Sequence, residues 1–98
     1  MVKRIIWTLK AVSVFNKILD YYFQRNGSKV NSSILNKEIK ETVNLLIKYP
    51  FLGRKTEYDQ IRVLIKGNFK IFYRIDKKEI IIMMVWDCRQ DPNDYSSL

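Results

Sequence analysis

The 98-residue chain contains no histidine, one cysteine (Cys88), three glycines and two prolines. Each scarcity excludes something. Without histidine there is no Ser-His-Asp or Cys-His nucleophile, and within one chain no zinc site built on Cys and His. A lone cysteine makes no internal disulfide, which agrees with a reducing compartment, so a cytoplasmic location is expected. No apolar run approaches the ~20 residues that a membrane-spanning helix needs. Met1–Trp7 carries a basic pair but no apolar stretch of the secretory kind, so neither export nor a membrane partner is expected. No metal or other cofactor is expected either. Any chemistry here falls to Lys, Arg, Tyr, carboxylates or hydroxyls.

What is present is enough for one core. Hydrophobic residues make up 47% of the chain, too much for intrinsic disorder and, at this length, enough for a single domain spanning residues 1–98. Lys and Arg number 18 against 10 acidic residues, a net charge of +8. A small domain this basic meets something acidic: nucleic acid, an anionic membrane or an acidic protein. The excess is uneven, with 11 cations and 5 acids in residues 1–60 but 7 and 5 in residues 61–98.

The apolar pattern divides the chain in two. Residues 3–7 read as a short strand rich in Ile and Trp, followed by Thr8 as a helix cap. Ala11, Val12, Phe15, Ile18, Leu19, Tyr22 and Phe23 recur at three and four, one face of an amphipathic helix that Asn26-Gly27 stops. Ser28 caps a second helix, with Val30, Ile34, Leu35, Ile39, Val43, Leu46 and Ile47 as its stripe and Pro50 as its end. After Gly53 the period changes to two. Ile61–Ile65 and Phe69–Ile75 alternate, and Ile80–Trp86 is a continuous apolar run, as in a central strand. The order β-α-α-β-β-β predicts an α+β domain, a helical hairpin packed on one face of an antiparallel sheet.

Whether that sheet carries a site depends on hairpin register. A three-residue loop Lys66-Gly67-Asn68, with Asn68 left-handed, would set Ile65 opposite Phe69. Ile61, Val63, Ile65, Phe69, Ile71, Tyr73 and Ile75 would then face the helices. Arg62, Lys70 and Arg74 would share the other face with Leu64 and Phe72. A one-residue slip reverses every side chain, and burial favours this register on sequence grounds. Three cations around Phe72, with Lys66 at the loop, would make an anion-binding surface with an aromatic for base stacking. The same residues would equally serve as an ordinary solvated face that discourages edge pairing.

The run Tyr49-Pro50-Phe51-Leu52-Gly53-Arg54, then Ile61-Arg62-Val63-Leu64, Gly67-Asn68-Phe69-Lys70-Ile71-Phe72-Tyr73, Ile80–Trp86 and Arg89-Gln90-Asp91-Pro92 resembles the RelE/ParE superfamily of toxins from bacterial type II toxin–antitoxin modules. The similarity covers nearly the whole chain. It implies a toxin held inactive by a tightly bound, acidic cognate antitoxin. In the RelE branch such toxins cleave messenger RNA in the ribosome without a metal; in the ParE branch they act against DNA gyrase. Cleavage needs a proton acceptor, a donor and cations for the developing charge. The resemblance places Lys70, Arg89 and Tyr95 on such positions, with Arg62 as an upstream cation. The chain departs from the RNA-cleaving pattern at Leu64, where a Lys, the proposed base of that branch, would be expected. The resemblance thus leads first to a ribosome-dependent messenger RNA endonuclease, with a gyrase-directed inhibitor lacking catalysis of its own as the alternative, and a decayed antitoxin-binding module as a third.

Overall fold

The helical and strand periodicities become two helices and a five-stranded sheet in the computed structural model, which describes residues 3–26 and 29–89. In chain order the elements are β1 (Arg4–Trp7), α1 (Leu9–Asn26), α2 (Lys29–Lys48), β2 (Arg54–Lys55), β3 (Ile61–Lys66), β4 (Phe69–Ile75) and β5 (Glu79–Asp87). The expected α+β order holds, with β2 as an additional two-residue strand. The sheet order is β1-β5-β4-β3-β2. All neighbours are antiparallel except β1 and β5, which run parallel with Ile5 beside Ile80 and Trp7 beside Ile82. The sheet is therefore mixed: β1 lies parallel to β5, and the chain between them runs through both helices and β2–β4.

Thr8 caps α1 as its position suggests: its Oγ1 accepts a hydrogen bond from the Ala11 amide at 3.0 Å. The expected cap Ser28 and stop Gly27 lie outside the described residues, as does the side chain of Val30. Ala11, Phe15 and Ile18 from α1 and Ile39, Val43 and Leu46 from α2 bury against Leu64, Ile71, Tyr73, Ile80, Ile82 and Val85 of the sheet. Each fully buried aliphatic side chain there contributes on the order of 1.5–3 kcal/mol. Val12 and Ile34, which the spacing places on the stripes, are exposed instead. Trp7 stacks on Phe15 with ring centroids 5.5 Å apart, and Lys40 lies over its ring.

The hairpin register differs from the sequence expectation. The β3–β4 loop has two residues, not three: Lys66 pairs with Phe69, Leu64 with Ile71 and Arg62 with Tyr73. Gly67 sits at φ +60°, the glycine-first pattern of a type II′ turn, so the left-handed residue is Gly67 and not Asn68. Directly opposed residues share a face, so Leu64 and Arg62 join the helix side while Ile61, Val63 and Ile65 turn away from it. The cation on the apolar side is tolerated because Arg62 finds acceptors there, as described below.

A bulge in β5 also matters. Tyr73 pairs with Ile82 but Phe72 with Met84, which leaves Met83 as the extra residue. Before the bulge Ile80 and Ile82 face the helices; after it Val85 and Asp87 do. The bulge directs a carboxylate inward at the strand's end.

Candidate functional site

Two polar clusters are built into the helix side of the sheet, one at each end. The first lies where α1 finishes over β5. Tyr22 continues the buried stripe of Ala11, Phe15 and Ile18, and Asp87 is turned inward by the bulge opposite Phe69. The Tyr22 hydroxyl donates to Asp87 Oδ2 at 2.6 Å. Asp87 Oδ1 accepts from the Arg89 amide at 3.0 Å, and Arg89 Nε lies 3.6 Å from the same oxygen. The Arg89 guanidinium also donates to the Tyr22 hydroxyl and lies over the rings of Tyr22 and Phe69, 4.9 and 5.8 Å from their centroids. The Asp87 side chain is fully buried, yet both its oxygens are engaged and its charge is matched.

Chemically this cluster holds protons in place rather than moving them. Partial burial raises the Tyr22 phenol to a pKa of about 12, and the hydrogen bond and negative charge of Asp87 act in the same direction, while Arg89 opposes them. Near neutral pH the phenol stays protonated, a poor base and a weak acid. Because the folded pKa lies above the ordinary value of about 10, Tyr22's contribution to stability is complete below pH ~10 and is lost as pH rises toward 12. Tyrosinate absorbance titrations of wild type and Tyr22→Phe should accordingly differ by one late-ionising phenol. If the two differ instead by a phenol that ionises near its ordinary pKa, the assignment is wrong.

The second cluster closes the run Tyr49–Arg54. Tyr73 is fully buried, and its hydroxyl accepts from the Gly53 amide at 2.9 Å and donates to the Pro50 carbonyl at 2.8 Å. Arg62 donates from Nε and a terminal nitrogen to the Gly53 carbonyl, at 3.0 and 2.8 Å, and reaches the Phe51 carbonyl at 3.4 Å. Its guanidinium lies 5.3 Å from the centroid of Phe51. Arg62 is thus not on the face of Lys70 and Arg74, because the two-residue turn reverses β3.

The remaining sequence candidates are dispersed. Lys70, Phe72 and Arg74 do share the sheet face away from the helices, where Ile61, Val63 and Ile65 join them. Phe72, however, is 4% exposed and pairs with Met84, so it offers no open ring for a base to stack on. Lys66 lies at the hairpin turn, opposite Phe69 and on the helix side. Tyr95 lies outside the described residues. Arg62, Lys70 and Arg89 therefore occupy one end of the sheet, its far face and its other end. Sequence reasoning overlooked Tyr22 and Asp87 as a pair. The available signal was a lone acid closing the apolar run of β5, and only the fold shows that a tyrosine 65 positions earlier meets it. Among the described residues no group of His, Cys, Asp or Glu is arranged to hold a metal ion, and no helix is long and apolar enough to cross a membrane.

A family model described as "ParE toxin of type II toxin-antitoxin system, parDE" matches residues 5–92. Among solved structures, the chain is similar to the chromosomal ParDE toxin–antitoxin system of P. aeruginosa, at 26% identity over 86% of this chain and 94% of that one, with a TM-score of 0.76. It shares its fold with the RelBE2 toxin–antitoxin complex of Mycobacterium tuberculosis, at 17% identity over 87% and 96%, with a TM-score of 0.63. No curated protein matches the sequence.

Proposed function

The chain belongs to the ParE toxin family of type II toxin–antitoxin systems, and from that premise we propose that it arrests growth by binding DNA gyrase in the cytoplasm, without catalysis of its own, until an acidic cognate antitoxin neutralises it. The observation that carries this reading is the dispersal of the cations that RNA cleavage would require together. Arg62 is engaged by backbone carbonyls at one end of the sheet, Arg89 by Asp87 and Tyr22 at the other, and Lys70 lies on the opposite face. A 2′-hydroxyl attack needs its acid, base and charge-stabilising groups within hydrogen-bond reach of one phosphate. Leu64, buried on the helix side where the RNA-cleaving branch would carry Lys, supports the same conclusion. The extent of the family match, and the identity to a ParDE structure above that to a RelBE one, add to it. Binding does not depend on such convergence, and a net charge of +8 favours encounter with acidic surfaces of either target or antitoxin.

Induction of the chain alone should raise a DNA-damage response and trap covalent gyrase–DNA complexes while transcripts stay intact. Lys70→Ala and Tyr95→Phe should leave the arrest in place. Transcripts cut within coding regions, with no damage response and with arrest abolished by Lys70→Ala, would instead establish the endonuclease reading.

A further inference from the structure

The turn after α2 presents large apolar side chains to solvent. Phe51 is 70% exposed, Tyr49 and Leu52 about half, and Leu45, one helical turn before Tyr49, is similarly open. Exposed apolar groups so close together mark an interaction surface on a small domain. Their exposure is fixed from beneath. The Tyr73 hydroxyl holds Pro50 and Gly53, Arg62 holds the carbonyls of Phe51 and Gly53, and the Leu52 amide donates to the Tyr49 carbonyl at 3.1 Å. Every one of these bonds uses backbone of the turn, so the side chains of Phe51 and Leu52 are left pointing outward on a rigid support. Such a surface loses little freedom on binding.

We infer that this shelf of Tyr49, Phe51 and Leu52, rimmed by Lys48, Arg54 and Lys55, is where the toxin grips an acidic surface of its target protein. The inference rests on the proposed protein-binding function and gives it a location. Charge sets the sign of the partner: residues 48–62 hold four cations against Glu57 and Asp59. Its class follows from the side chains. Leu45 and Leu52 offer nothing to a phosphate, and the rings of Tyr49 and Phe51 each have a cation over them, Lys48 at 5.8 Å and Arg62 at 5.3 Å. A nucleic acid would want those faces open for stacking. Relief decides between partners. A protruding ring needs a pocket to enter, and pockets belong to folded surfaces, whereas a bound strand or helix would need a long groove in this chain. Beside Phe51 lies an open cleft of about 480 Å³, bordered by Tyr58, Gln60, Arg62 and Asp76, room for a few side chains projecting from a folded surface. Knob and hole together describe one half of a protein–protein contact.

The test pairs Phe51→Ala and Lys55→Glu with wild type in four measurements: growth arrest, binding to purified gyrase, capture by the cognate antitoxin, and thermal unfolding. Phe51→Ala should weaken gyrase binding and arrest by about tenfold or more, as loss of a central aromatic anchor does. Lys55→Glu should slow association most at low salt. Antitoxin capture and unfolding should match wild type in both. Unchanged arrest by Phe51→Ala would overturn the inference, and so would a parallel loss of antitoxin capture, which would make the shelf the antitoxin's seat. If wild type arrests growth without binding gyrase, the gyrase reading fails. The arrest and capture results then still decide the shelf: lost arrest with intact capture upholds it, and retained arrest removes it.

Discussion

Gly53→Ala should lower stability by about 3 kcal/mol or more and move the urea midpoint down accordingly. A Cβ at this position would lie 2.7 Å from the Tyr73 ring carbon Cε1, 2.7 Å from its hydroxyl and 2.7 Å from the Val63 carbonyl oxygen. None of the three can yield easily. Tyr73 is fully buried between the helices and the sheet, and the Val63 carbonyl belongs to the β2–β3 ladder. Relief would require withdrawing the turn, which breaks the bond from the Gly53 amide to Tyr73 and the bonds from Arg62 to the Gly53 carbonyl. Gly67 makes the contrast. Nothing lies within 4 Å of its would-be Cβ, but its φ is +60°. Gly67→Ala should therefore cost about 1–3 kcal/mol, the strain of an L-residue at this positive φ with no steric clash added. Tyr73→Phe isolates the hydroxyl: it leaves the ring in place but the Pro50 carbonyl and Gly53 amide without their partner, a loss of about 1–3 kcal/mol. Equal midpoints for Gly53→Ala and wild type would show that the turn is looser than its contacts imply.

Asp87→Ala should lower stability by about 3 kcal/mol at neutral pH. The carboxylate is the acceptor for both the Tyr22 hydroxyl and the Arg89 amide, and its side chain has no exposure through which water could replace it. Arg89, about half exposed, can turn to solvent once the carboxylate is gone, so most of the loss is felt by Tyr22 and by the strand end. Asp87→Asn should cost less because an amide oxygen can still accept one bond, but it removes the charge. Tyr22 should then titrate closer to an ordinary phenol, since the hydrogen bond and charge of Asp87 help to hold it near 12. Arg89→Ala should shift Tyr22 the other way, because the guanidinium is the one neighbour that favours tyrosinate. Denaturation midpoints and tyrosinate titrations of the three variants separate packing from charge. An Asp87→Ala protein as stable as wild type would mean that the cluster contributes nothing to the fold.

Both helices are legible in the sequence because their buried positions are apolar and regularly spaced, and because Thr8 and Pro50 punctuate them. β3 and β4 are legible from period two, and β5 from its unbroken apolar run. The register of β3 on β4 is not, for a physical reason. The three-residue turn gives a cleaner separation of charge from apolar surface, and an arginine on the helix side is costly unless the fold supplies it with acceptors. Arg62 instead finds carbonyls at the sheet's margin, while Ile61, Val63 and Ile65 turn toward the other face. A local pattern cannot reveal acceptors supplied by a turn nine residues earlier. The β5 bulge is hidden in the same way, since an unbroken apolar run reads identically with or without an extra residue. Arg89 is picked out by the resemblance, but its partners Tyr22 and Asp87 come together only through the packing of α1 on the bulged end of β5. The Tyr49–Arg54 run, read in the sequence mainly as a helix terminator, is instead a clasped turn with an exposed aromatic.

The place of β1 has a consequence for how the chain is made. Its sole neighbour in the sheet is β5, with Arg4 and Glu79 joined 75 positions apart. Synthesis delivers β1 first and β5 after every other described element, so the opening strand waits, with its ladder groups unpaired, until residues 79–87 have been added. β4 likewise lacks one of its two neighbours until then. A nascent chain stopped before β5 has two amphipathic helices and a sheet broken between β1 and β4, so the acquisition of structure is concentrated at the synthesis of β5.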